Sequence, residues 1–484
     1  MKDMKLPRNP FSFFFYDLET SGLNPREDRI MQFAGQRTDQ DFRPIGDPVN
    51  ILLKLPDDTL PSPGAIMVTK ITPQSTQTDG LTEAEFCRFL SREIFTPGTC
   101  AIGYNSVRFD DEFMRHLWWR NFRDPYEWQW RDGRSRWDLL DVVRLTRALR
   151  PEGIVWPVAT KTVTDPESGE AKIIEVPVNK LELLTKLNHI EHSHAHDALS
   201  DVMATIAVAR LIKEHQSKLY QFLFDLREKK SVHRLVNLDQ KKPFVYASGR
   251  YPAQFNKTTV AFPIAPGRNG NLLVFDLRYN LDQLLESSPE TFFPIVKELA
   301  PNKCPAIAPL GVLEQSDGWH KIGLTHTLIQ ENLDSLLSHP EFAEKMRTEY
   351  EARLEWPAPP DPESALYDAF LSDQDRRLCS EVAVADAEKL ADFHPAFTDE
   401  RLPDLLLHYK AKNFPTALSA DEAIKWEEYR IQRLTRQAAN FVSELTRLQN
   451  LASTHQPLPN GEPVDEFILE ELALWFQSLQ TADY

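Results

Sequence analysis

The chain has 484 residues, 42% of them hydrophobic and 26% charged, a folded-protein composition too long for one ordinary core, so two to four domains of roughly 100–200 residues are expected. No apolar run approaches the ~20 residues of a membrane span. The net charge of −17 argues against a protein that coats nucleic acid non-specifically, since phosphate neutralisation needs Lys and Arg, but it leaves room for a local basic groove on an acidic body.

The first ~205 residues read as an α/β unit. Phe11–Tyr16 is an apolar run that ends in acids and lacks a signal peptide's cleavage site, so it reads as a buried strand. Gln32–Thr38, Val49–Leu55 and Ala101–Tyr104 are further strand candidates. Leu81–Phe95 has helical spacing, with Thr82 and Glu85 placed as a capping box. Asp110–Asn121, Trp137–Ala148 and Ala198–Glu214 read as helices, and Val158–Val178 as an inserted surface hairpin turning at Asp165–Gly169. Between about 205 and 350, the short β-type runs Phe244–Ser248, Thr259–Ala265 and Asn271–Asp276 suggest a small barrel with added helices. Trp356–Pro362 reads as a linker. Beyond it, helices are expected at Ala365–Leu371, Asp373–Asp386, Arg401–Lys412, Ala420–Thr435 and Ala438–Asn450. Four cysteines without a CxxC pair point to a reducing, cytoplasmic setting.

Three acidic elements carry chemistry. Asp17-Leu18-Glu19 ends a strand, where residues i and i+2 share a face, so two carboxylates point the same way. They repel unless a hard divalent ion sits between them. A bare DxE is more often a strand ending in two solvated acids, and the motif is too short to carry much alone. The second element is Gly103–Asp110, a strand and polar loop leading to Asp110-Asp111-Glu112. Acids in a first helical turn are ordinary. A functional site needs one of them to face Asp17 and Glu19, with Asp110 the first choice and Asp111 the alternative. The third is His194–Asp201: Asp197 reads as the N-cap, His196 lies on the loop before the helix, and Asp201 in its opening turns. His189, His192 and His194 nearby read as solvated loop histidines. Zinc is disfavoured there because no cysteine is close and three acidic elements would go unexplained.

Taken in order, YDLETSG, GYNSVRFDDEFMR and HDALSD resemble the DEDD exonucleases of the histidine (HxxxxD) subgroup. PGAIMVTKITPQ, NFRDPYEW, RWDLLDVVR, ALRPEGI, NKCP and YKAKNFP extend the resemblance through the chain to the bacterial exonuclease I family. That resemblance implies an RNase H-like exonuclease domain (1–210), an SH3-like β-barrel domain with added helices (211–355) and an all-helical C-terminal domain (360–484) closing as a clamp over the strand. It implies 3′→5′ hydrolysis of single-stranded DNA to 5′-mononucleotides, with a role in DNA repair and recombination. It implies two Mg²⁺ ions (Mn²⁺ also serving) on Asp17, Glu19, Asp110 and Asp201, and His196 as general base. It further implies binding to the C-terminal tail of single-stranded DNA-binding protein and a monomeric state.

The segment Arg108–Arg150 holds ten Arg, no Lys and five of the ten tryptophans, a mixture that suits a single-strand groove. Structural pairing and core packing can use the same residues. Family carry-over favours Arg115, Tyr126, Trp130, Arg144, Arg150 and Lys180 as strand contacts. Alternatives are an RNA-trimming 3′→5′ exoribonuclease, which shares the catalytic set, and a non-catalytic nucleic-acid-binding protein.

Overall fold

The computed structural model describes residues 11–164, 171–192, 197–353 and 359–480. The N-terminal sheet contains β1 (Ser12–Thr20), β2 (Ile30–Thr38), β3 (Val49–Leu52), β4 (Thr99–Gly103) and β5 (Ser135–Asp138) in the order β3-β2-β1-β4-β5. β1 pairs antiparallel with β2 and parallel with β4, and β5 is parallel to β4. Side-chain alternation sorts the phenylalanine run of β1 onto two faces. Phe13 and Phe15 join the core that contains Val202, Ile206 and Ala209 of the helix Ala198–His215. Phe14, Tyr16 and Leu18 pack with Phe113, Met114 and Leu117 of the helix Asp110–Arg120. Both faces are covered, which is why the strand is continuously apolar.

Trp137–Ala148, expected as one helix, is a strand followed by a helix. Trp137 and Asp138 pair with Ile102 and Gly103, and the helix starts at Leu139. A four-residue strand running straight into an apolar helix cannot be separated from it by periodicity. The signal available was Asp138, whose carboxylate caps the helix by accepting from Leu140 N–H at 2.9 Å. The Val158–Val178 insertion forms β6 (Val158–Thr164) and β7 (Ala171–Pro177); Asp165–Gly169 lies outside the described residues.

The middle region forms an antiparallel five-stranded sheet of β8 (Phe244–Ala247), β9 (Thr258–Pro266), β10 (Leu272–Asp276), β11 (Val296–Leu299) and β12 (Ala306–Pro309), ordered β11-β10-β9-β8-β12. β11 and β12 lie outside the strands expected from the sequence.

The C-terminal region is helical, with three corrections to the expected elements. Ala365–Leu371 is irregular, with one turn at residues 366–368. The two helices expected at 420–435 and 438–450 are one, Ala420–Ser453, opened by a Ser419/Glu422 capping box. Arg436 and Gln437 interrupt its apolar stripe because they contact other parts of the chain: Arg436 reaches Asp361 and Gln437 accepts from Leu60 N–H. Of the expected linker Trp356–Pro362, 356–358 lie outside the described residues, while Asp361 within it and Glu363 just beyond it are buried.

Apolar cores cross the domain limits. Met31, Leu55, Leu60 and Met67 pack with Phe441, Leu448, Leu472 and Trp475, so the C-terminal helices complete a core begun by the first domain. A shared apolar interface of this kind resists free domain motion.

Candidate active site

Asp17 and Glu19 stand on the same face of β1 as Phe13 and Phe15, where the helix Ala198–His215 crosses. The parallel ladder with β4 runs from Ser12 to Phe15 and stops two residues before Asp17. Past that point β4 gives way to the loop Tyr104–Phe109. Gly103 permits this turn: a Cβ there would lie 2.5 Å from Ser106 Cβ and 3.2 Å from Tyr16 O. Asn105 takes a left-handed φ of 72°, which Asn tolerates. Asp138 ties the loop down, accepting from Asn105 N–H at 2.9 Å and Val107 N–H at 3.1 Å. Sequence reasoning did not single out this residue.

One carboxylate oxygen each of Asp17, Glu19 and Asp201 lie within 4.8 Å of one another, all three residues half-buried. Asp201 arrives from the first turn of its helix, where Asp197 caps by accepting from Ser200 N–H at 3.0 Å. Asp110 is buried at the start of its helix. Burial, followed by Asp110, Glu19, Asp201 and Asp197, pushes Asp17 well above the usual carboxylate range. Burial, then Asp201, Asp110 and Asp197, pushes Glu19 to about 8. Burial is also the main cause that lifts Asp110 to about 7.

Asp111 is engaged elsewhere. It is 1% exposed, accepts from Tyr16 Oη at 2.6 Å and pairs with Arg136. Arg136 in turn donates to Asn302 O of the NKCP segment at 2.9 Å. Glu112 pairs with Arg115 and accepts from Tyr367 Oη. The three consecutive acids thus have three different settings, which the helix dipole alone does not predict.

His196 and His194 lie outside the described residues. His189 is exposed. The expectation of a solvated His192 is corrected: its side chain is 3% exposed, Nε2 lies 2.5 Å from Asp201 Oδ1, and Nδ1 lies 3.1 Å from Thr185 Oγ1. His192 lies against the start of the helix through Asp201, and a buried imidazole needs partners.

Of the proposed strand contacts, Trp130 (64% exposed) and Lys180 are open to solvent. Arg115 is nearly buried, bonded to Glu112 and Gln129 and lying over the Tyr126 ring. Arg144 pairs with Asp141, and Arg150 donates to Gln315 Oε1 at 2.9 Å. Trp118, Trp119, Trp128 and Trp137 are core.

The donor set is all oxygen, crowded and mutually repelling, so it fits a hard divalent ion. A pH dependence follows. Folded Glu19 (about 8) and Asp110 (about 7) hold protons that the unfolded chain releases near its ordinary 4.5 and 3.8. The folded state therefore binds more protons in this window, and stability falls as pH rises through it. Urea unfolding in a chelator should show a loss of stability from pH 5 to 8 at these sites that saturating Mg²⁺ removes; an identical pH profile with and without metal would contradict this.

Three family models match the chain: "Exonuclease" over residues 14–209, "Exonuclease I SH3-like domain" over 227–293 and "Exonuclease I C-terminal domain" over 360–479. Exodeoxyribonuclease I of Haemophilus influenzae is 39% identical over 458 residues, covering 90% of this chain and 94% of its own. The Escherichia coli enzyme of the same name is 38% identical over 442 residues, covering 88% and 90%. E. coli exonuclease I in complex with a dA16 oligonucleotide superposes with a TM-score of 0.86 at 35% identity, over 97% of this chain and 100% of that one. The zinc-bound E. coli ExoI–ssDNA complex gives 0.86 at 34% identity, over 98% and 100%. SSB/exonuclease I with the inhibitor CFAM gives 0.85 at 35%, over 97% and 100%.

Proposed function

The chain belongs to the exonuclease I family and is a 3′→5′ exonuclease of single-stranded DNA, and we propose that it works through two Mg²⁺ ions held by Asp17, Glu19, Asp110 and Asp201. The observation that carries this reading is the convergence of Asp17, Glu19 and Asp201 within 4.8 Å, with burial and mutual repulsion raising the carboxylates. A divalent pair, when bound, supplies positive charge for the attacking and leaving oxygens of the phosphodiester. Asp17 and Glu19 present their oxygens from the end of a rigid strand; Asp110 and Asp201 come from two helix starts on opposite faces of the sheet. His196 takes the proton from the attacking water, its unperturbed value of about 6.5 suiting a base near neutral pH. The product is a 5′-mononucleotide.

Arg115, Tyr126, Trp130, Arg144, Arg150 and Lys180 form the reading's strand contacts. The C-terminal tail of single-stranded DNA-binding protein is its protein partner, the enzyme is a monomer with domains at 1–210, 211–355 and 360–484, and its biological role is DNA repair. Four buried free thiols accord with a cytoplasmic location.

The test is a metal-titrated assay on 3′-labelled DNA and matched RNA strands, with a 3′-phosphate control. Mg²⁺-dependent mononucleotide release from DNA is expected; none at any metal concentration would sink the reading, and preference for RNA would redirect it. His196→Ala should lower kcat by about 10²–10⁴-fold, the scale of one lost general base. His192→Ala, removing a neighbour of Asp201, should instead raise the Mg²⁺ concentration needed for half-maximal rate. Swapped phenotypes would move the base to His192.

A further inference from the structure

A cluster of cations stands beside the loop that delivers Asp110, drawn from three parts of the chain. Arg108 lies on that loop, two residues before Asp110, so their Cα atoms are within about 7 Å. Its Nη2 lies 3.3 Å from Asp141 Oδ2 and 3.4 Å from Ser248 Oγ of the middle domain. Arg144 shares the same Asp141 carboxylate. Its side chain is only 13% exposed, and its buried Nε has no hydrogen-bond partner among the described residues. The two guanidinium groups come together over Gly249, where a Cβ would sit 3.0 Å from Arg144 Nη2 and 3.2 Å from Arg108 Nη1.

Lys257 brings a third charge. Its Nζ donates to Gly249 O at 3.2 Å, and its backbone holds a left-handed φ of 55°. A non-glycine residue there is costly and marks a constrained site. The fourth is Lys161 on β6. Burial, then Arg144 and Lys161, lowers Lys257, so these groups share one electrostatic neighbourhood. The hairpin is held there by β7, which lies against the turn Ala253–Phe255. Two arginines share the Asp141 carboxylate, and two lysines stand in the same neighbourhood, so positive charge is in excess.

We propose that Arg108, Arg144, Lys161 and Lys257 form a phosphate-binding site for the backbone of the single strand, in which the inserted hairpin supplies one wall. This rests on the exonuclease reading above and extends it to Arg108, Lys161, Lys257 and the insertion. The occupant is a nucleic-acid backbone because Arg108 of the cluster lies on the loop that carries Asp110, two residues from it. Arginine forks hold phosphate oxygens in pairs, and the lysines add point charges.

The test is the salt dependence of single-strand binding by the full chain, read by fluorescence anisotropy with a labelled dT20 strand in EDTA, where no hydrolysis occurs. The variant is Lys161→Thr with Lys257→Asn. Thr suits a strand, and Asn tolerates the left-handed backbone. Each phosphate contact on a single strand contributes about 0.7 to the slope of log K against log[salt], so the double variant should lower its magnitude by about 1.4. A wild-type slope in a variant with wild-type Tm overturns the proposal. So does a wild-type slope with lost binding to an Asp/Glu-rich peptide, which would make the cluster a peptide site. Mononucleotide release by the wild type in Mg²⁺ is measured alongside: its absence removes the exonuclease reading, whereas an unchanged slope in an active enzyme removes only this site.

Discussion

Replacing Asp17 by Ala should cut mononucleotide release at saturating Mg²⁺ by more than about 10³-fold and raise the Tm of the metal-free protein. The first effect follows because the ions contribute several kcal/mol of charge stabilisation at the transition state, and each 1.36 kcal/mol is tenfold in rate. The second follows because Asp17 is a buried carboxylate surrounded by Asp110, Glu19, Asp201 and Asp197, so its removal relieves repulsion when no cation is present. The opposite signs make the prediction specific: a residue that merely holds the fold would lose rate and Tm together. Single-turnover rates and thermal melts in chelator check it. A variant retaining a tenth of the wild-type rate would exclude Asp17 from the metal set. Asp201→Ala should lose rate similarly but gain less Tm, because His192 is left buried without that carboxylate.

The largest effect on stability is expected at Arg433, which is 0% exposed and joins three separate pieces of chain. Its Nη1 lies 3.0 Å from Asp361 Oδ2, its Nε donates to Asp58 O at 3.1 Å, and its Nη2 donates to Glu27 O at 2.8 Å. Around it, Lys412 pairs with Asp58 and Glu363, and Arg29 pairs with Glu363. Arg433→Met strands buried carboxylates, a loss of about 3–5 kcal/mol for a broken buried pair. Urea unfolding should show the loss; a change below about 1 kcal/mol would contradict it. The pH sign here is opposite to that at the active site. Lys412 and Arg29 hold Glu363 well below the ordinary range, and Lys412 and Arg433 do the same for Asp58, in each case against burial. Their contribution is complete above the unfolded carboxylate values and is lost as pH falls below them.

Much of this protein was legible along the chain because the relevant signals are local. The apolar run of β1, the shared face of Asp17 and Glu19, the Asp197 cap and the β6–β7 hairpin need only near neighbours. Trp137 and Asp138 were misread because strand and helix meet there without a break, and only the pairing with β4 distinguishes them. The long helix Ala420–Ser453 was split because polar residues in its middle, Arg436 and Gln437, interrupt the apolar stripe and bond to other parts of the chain.

By itself the sequence determined the family, through the order of its motifs, and through that resemblance it implied the three-part architecture and the proposed oxygen donor set. The tertiary structure decided how neighbouring residues divide the work. Asp110 and Asp111 are adjacent and chemically identical, yet Asp111 is claimed by Tyr16 and Arg136, 95 and 25 residues away, while Asp110 remains beside Asp17. Likewise, Arg108 to Arg150 is a row of equivalent cations until folding assigns Glu112 to Arg115 and one shared Asp141 to Arg108 and Arg144. Which charge is neutralised depends on the partner brought opposite it, and those partners meet only when distant segments pack.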